Sequence, residues 1–215
     1  MQTTSELWLF FLIVLGVVLL PGMDMTFVLA TTIGQGRRSG FAGVAGIVAA
    51  GIVHVAVGAA GIAAIVTLVP GLFNAMLIAG SAYLAWIGFS LLRSGAAFAG
   101  GSGAPGEAAP SLAVAFRRGM ITNLLNPKAY AFMLAIFPQF VQAARGSIAL
   151  QALPLSAIIT ATQVAVYGAV VLAAAGARGW LLGHPRALAG VGRTVGAFLV
   201  VAAVASAWQG WKSFG

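Results

Sequence analysis

Cysteine is absent from the 215 residues, and only three carboxylates occur, Glu6, Asp24 and Glu107. The first absence removes disulfides, thiol relays and thiolate metal sites. The scarcity of charge goes further: 7% of residues are charged and 61% are apolar, against about 25% charged in ordinary soluble domains. That balance describes a polytopic membrane protein. The net charge of +8 does not indicate nucleic acid, because the arginines punctuate apolar stretches instead of forming a basic face that reads bases. No Lys or Arg precedes Leu7, so the basic n-region of a cleaved signal peptide is missing and the first apolar run is expected to stay in the mature protein. A Gly-x-x-x-x-Gly-Lys-Ser/Thr motif is also missing, which excludes direct nucleotide energisation by this chain.

What is present is a series of apolar runs of about 20 residues or more, the length a membrane helix needs. Six are expected, over residues 7–33, 41–69, 72–92, 112–140, 150–175 and 190–208. Pro70-Gly71 marks a turn, and residues 94–111, rich in Gly, Ala, Ser and Pro, read as a flexible linker. The chain is thus one integral membrane domain, 1–215, with halves 1–93 and 112–215. Arg37, Arg38, Arg93, Arg117, Arg118, Arg178, Arg186 and Arg193 fall on one side of such spans, Arg145 and Lys212 on the other. By the positive-inside rule both termini lie outside. Three spans per half require homologous halves to insert in opposite orientations.

Two of the runs are interrupted. Pro21-Gly22 breaks the first just before Asp24, and Asn126-Pro127 breaks the fourth just before Lys128. Proline removes a backbone donor and clashes with the preceding turn. The first break comes about 14 residues after Leu7, or roughly 21 Å along a helix, past the middle of a ~30 Å hydrocarbon layer. Charges at that depth cost about 2.5–3.5 kcal/mol on insertion scales and mark functional sites by default. The two segments also resemble each other: residues 19–30 read LLPGMDMTFVLA and residues 124–135 read LLNPKAYAFMLA. A weaker echo relates His54-Val55-Ala56-Val57 to Gln163-Val164-Ala165-Val166. Paired interruptions of this kind mark inverted-repeat transporters with a midplane site.

The expected fold is therefore all-α and membrane-integral, six helices in two inverted three-helix repeats. The expected substrate site comprises Pro21, Gly22, Asp24, Asn123, Asn126, Pro127 and Lys128, with Asp24 also carrying the proton. Helix N-termini and Lys128 suit a carboxylate, and Asp24 suits an ammonium group. His54, Gln163 and Tyr167 are secondary cavity candidates, although a lone mid-span His or Gln is as readily a hydrogen-bonded core residue. No second His or carboxylate stands one turn from His54, so neither a metal site nor another cofactor is expected. A purely structural Asp24–Lys128 ion pair is the bland alternative. Competing readings are a scaffold subunit without transport and an intramembrane hydrolase pairing Ser81 with His54. Trp8, Trp180, Trp208 and Trp211 read as interfacial anchors. Gly36-x-x-x-Gly40, Ala42-x-x-x-Gly46 and Gly192-x-x-x-Gly196 predict tight helix packing.

These motifs resemble the lysine exporter (LysE/RhtB-type) family of bacterial amino-acid efflux proteins. The resemblance runs through Pro21-Gly22-Met23-Asp24, Gln35-Gly36-Arg37-Arg38-Ser39-Gly40, Ala82-Tyr83-Leu84 with Gly88 and Arg93, Phe116-Arg117-Arg118-Gly119, Asn123-Leu124-Leu125-Asn126-Pro127-Lys128 and Phe137-Pro138-Gln139-Phe140. It implies a six-span inner-membrane exporter exchanging amino acids or related zwitterionic or cationic metabolites for protons, alone or as a homodimer. Met23 stands where the family usually has a second proline, which implies a milder break in span one.

Overall fold

The computed structural model describes residues 3–60 and 111–212, together with 78, 81, 82, 85, 86, 88, 89, 92 and 93. The expected turn at Pro70-Gly71, the linker 94–110 and most of the third span lie outside the described residues, as do the side chain of Trp211 and the Tyr83-Leu84 part of the motif. The described residues are all-helical, with no strand among them. Seven helices with full bounds are described, in order: α1 Thr4–Leu19, α2 Met23–Gln35, α3 Arg37–Ala59, α4 Leu112–Leu124, α5 Pro127–Ala135, α6 Ile148–Gly183 and α7 Pro185–Lys212. Short 3₁₀ turns over Phe137–Phe140 and Ala143–Arg145 lead from α5 to α6.

Local chemistry accounts for the boundaries. The Thr3 side chain accepts from the Glu6 amide while the Glu6 carboxylate accepts from the Thr3 amide, a capping box. Pro21 ends α1, and the axis turns by 54° before α2 begins. Gly36 sits at φ 91° between α2 and α3, a conformation that costs glycine little. Asn126 accepts from the Lys128 amide with Pro127 following at the first helical position, a combination that favours initiation over continuation. The expected breaks in the first and fourth runs are thus both observed, at Leu20–Gly22 and Leu125–Asn126.

Helices α3 and α6 are long and apolar enough to cross a membrane, and α1 with α2 make a third crossing if counted as one broken span. Packing is closest between α3 and α4, while α6 lies against α1, α2 and α3. Glycine permits the α3/α4 approach: a Cβ on Gly46 would overlap the Phe116 carbonyl, and one on Gly119 would overlap the Gly43 carbonyl. Gly40, by contrast, faces Thr32 and Val171. Two polar ties fix the ends of the bundle. Arg145 pairs with Glu6 at 2.8 Å, placing the α5–α6 connection beside the start of α1. At the opposite end Arg178 donates to the carbonyls of Ile33 at 2.8 Å and Gly34 at 3.4 Å, neutralising the negative end of α2.

Candidate functional site

The two proline breaks create specific deficits, and other helices fill them. In a continuous helix the amide of residue 21 would donate to the Val17 carbonyl, but Pro21 has no amide hydrogen. Lys128 Nζ donates to the Val17 carbonyl at 3.0 Å and to the Leu20 carbonyl at 3.0 Å. By the same count Pro127 cannot donate to the Asn123 carbonyl, which instead accepts from the Asn126 amide at 3.0 Å and has His54 Nε2 3.1 Å away. A carbonyl only accepts, so Nε2 carries the hydrogen of this bond. Each break is thus supported by a basic side chain from another element, Lys128 from α5 and His54 from α3. Tyr130 closes over the second break, its hydroxyl donating to the Leu124 carbonyl and its ring meeting His54 edge-on at 4.9 Å.

Asp24, in the first turn of α2, is 3% exposed. Its Oδ2 accepts from Asn123 Nδ2 at 2.8 Å and from the Tyr167 hydroxyl at 3.4 Å. Asp24 and Lys128 therefore do not form the ion pair offered as the structural alternative; among the described residues the ion pair is Glu6–Arg145. Asn123 occupies the centre of the arrangement, its carbonyl facing His54 and its side chain facing Asp24.

These groups line one cavity. Asp24, His54, Asn123, Asn126, Lys128, Gln163 and Tyr167 all line it, so seven of the sequence-predicted residues converge. Gly22 lies beside it, since a Cβ there would come 3.4 Å from Lys128 Nζ. Pro21 and Pro127 act through the backbone they interrupt and are not among the lining residues. Room for the centres of water-sized molecules amounts to ≈ 50 Å³, enough for a few waters at about 10–15 Å³ each. The lining also includes the apolar side chains of Val14, Val18, Phe132, Met133 and Ile159. Sequence reasoning passed over these, although Val14 and Val18 share one face of α1, Phe132 follows Lys128 by one turn and Ile159 precedes Gln163 by one turn, the spacing that puts helical side chains on one face. Gly51 was missed as well; a Cβ there would come 3.0 Å from Gln163 Oε1, so it is the small residue that admits that side chain.

The hydrolase reading finds no support in this geometry. Ser81 Oγ has no hydrogen-bond partner, and His54 Nε2 is turned to the Asn123 carbonyl. What the cavity offers is recognition: one carboxylate, one ammonium, one imidazole, three amides and a phenol among apolar side chains.

Comparison with known families assigns this architecture. The model of the LysE type translocators matches residues 4–210. The chain belongs to that family. A LysE-type translocator moves solutes and is not an enzyme, and the membrane-length helices agree with that setting. The chain is 35% identical to a leucine efflux protein of Enterobacter sp. (strain 638) over 130 residues, 58% of each chain. It is 32% identical to a leucine efflux protein of Klebsiella pneumoniae subsp. pneumoniae over 125 residues, again 58% of each. The match thus spans under two thirds of those two relatives. An uncharacterised membrane protein of Pseudomonas aeruginosa is 29% identical over 198 residues, 91% of this chain and 92% of that one. No solved structure matches this translocator.

Proposed function

We propose that the protein is a secondary exporter of amino acids, driven by proton antiport across a bacterial inner membrane. The observation that carries this reading is Asp24, the one buried carboxylate among the described residues, set beside two helix breaks in a cavity lined by both polar and apolar side chains. Asp24 alternates between binding a proton and binding the cargo's ammonium group. Lys128 and the backbone near Gly22 and Pro127 receive the cargo's carboxylate, as helix N-termini and a cation favour. Among the described residues Asp24 is the only acid lining the cavity, so a second ammonium would find no second carboxylate there and zwitterionic cargo is favoured over cationic cargo. The names of the leucine efflux relatives point the same way, toward an aliphatic side chain against Val14, Val18 and Phe132.

Six spans in two inverted halves, with both termini outside, complete the proposal. The shared break pattern of residues 19–30 and 124–135 supports it, as do the two polar ties. Glu6 and Arg145, both assigned outside, meet each other, and Arg178, assigned inside, reaches the end of α2 beside Arg37.

The test is transport in proteoliposomes under an imposed proton gradient. Asp24→Asn should abolish proton-driven accumulation of l-leucine while leaving the purified protein monodisperse. Coupled uptake at the wild-type rate in that variant would remove Asp24 as the carrier.

A further inference from the structure

Three hydrogen-bond acceptors around the cavity have no protein partner: Asp24 Oδ1, Asn123 Oδ1 and Gln163 Oε1. Their residues are 3%, 2% and 6% exposed, and all three line the same small space. Buried polar atoms are satisfied in the great majority of cases, so three orphans in one place call for a cause. For Asp24 and Asn123 the identity as acceptors is set by their neighbours. Asp24 Oδ2 is engaged by Asn123 and Tyr167, which leaves Oδ1. Asn123 spends its Nδ2 on that carboxylate, which fixes the amide and presents Oδ1. Gln163 Oε1 lies over Gly51. The corresponding donors are fewer: Asn126 Nδ2 faces Asp24 without closing a hydrogen bond to it, and Lys128 keeps one of its three hydrogens after bonding to Val17 and Leu20.

From this we infer that Asp24, Asn123 and Gln163 form a three-acceptor seat for a primary ammonium group, with Asn126 and Lys128 left to the carboxylate, so that cargo is selected by the number of hydrogens on its amine. The inference rests on the exporter reading and sharpens it. A primary ammonium carries three N–H donors for three acceptors. A methylated amine keeps its charge but loses a donor, stranding one buried acceptor. Sites built to hydrogen-bond a group discriminate strongly against analogues that lack it, far more than apolar pockets discriminate a methylene. Asn123 and Gln163 are thereby specificity residues, and Gly51 is required to be small so that Gln163 reaches the seat.

Ligand-induced thermal stabilisation of the purified full-length protein tests this, because a ligand that prefers the folded state raises its apparent stability. The probes are l-leucine, N-methyl-l-leucine and 4-methylpentanoate. l-Leucine should stabilise, N-methyl-l-leucine should need at least about tenfold higher concentration for the same shift, and 4-methylpentanoate should give none. Gln163→Met keeps the length and removes the acceptor, and should narrow the gap between leucine and its N-methyl form to about threefold or less. Gln163→Glu keeps an acceptor and should preserve the gap. Equal stabilisation of the wild type by leucine and N-methyl-leucine overturns the seat while leaving the exporter reading intact; so does an unchanged gap in Gln163→Met or a lost gap in Gln163→Glu. Absence of stabilisation by any amino acid overturns the exporter reading and the seat with it.

Discussion

Lys128 holds the Val17 carbonyl because Pro21 cannot, and that makes the two residues thermodynamically coupled. Replacing Lys128 by Met strands two carbonyls and should lower stability by about 1–3 kcal/mol per unsatisfied group. Pro21→Ala returns an amide hydrogen to position 21, so Lys128→Met in that background should cost clearly less. A double-mutant cycle on thermal midpoints measures the difference, and additive losses would show that the carbonyl bond is not what Lys128 contributes. The sequence revealed the breaks, because a missing amide hydrogen is a property of proline itself. It did not reveal their repair. The partners of Lys128 are 111 and 108 positions away and belong to the backbone, which has no sequence signature. For the same reason the Asp24–Lys128 pair remained an open alternative until the carbonyls were seen to hold Lys128. The polar candidates Asp24, His54, Asn123 and Gln163 were legible because isolated polar groups in apolar runs are conspicuous; the valines and Phe132 were not, since every helix here is rich in such residues.

At the scale of helices, contact between α3 and α4 depends on the absence of side chains. Gly46→Ala would drive a methyl group into the Phe116 carbonyl, and overpacking of this kind costs about 1–3 kcal/mol. Gly176→Ala in α6 meets open space and should instead be neutral or stabilising by about 0.5–1 kcal/mol, the usual helix preference for Ala over Gly. Thermal unfolding of the two variants in the same detergent separates these signs, and equal responses would contradict the close crossing. The small-xxx-small spacing foretold tight packing, but 29 glycines offered too many matches to say which would face a neighbour. Helix α6 was expected over 150–175 and runs from Ile148 to Gly183. Its 36 residues span about 54 Å at 1.5 Å each, well beyond a ~30 Å hydrocarbon layer. Both of its ends therefore lie among polar partners, Gln151 bonding to the carbonyls of Gln142 and Gly146 and Arg178 to those of Ile33 and Gly34.

For the whole molecule, the missing cysteines turn into an experimental advantage. Thr3→Cys and Ser111→Cys, both at exposed positions, would each carry the only thiol in the chain. If both termini lie outside, as proposed, a membrane-impermeant maleimide applied to intact cells should label Thr3→Cys and spare Ser111→Cys until the cells are opened. The reverse pattern would invert the proposed orientation.

The narrowness of the chamber has a further effect on how tightly cargo is held. A leucine molecule has nine heavy atoms, and a hollow sized for a few waters admits it only after the surrounding half-helices separate. The measured dissociation constant then contains the work of that separation: if the widened form is a fraction f of the population, apparent affinity is weaker than intrinsic affinity by that same factor. Weak apparent binding at equilibrium is thus the expected companion of a resting chamber smaller than its cargo.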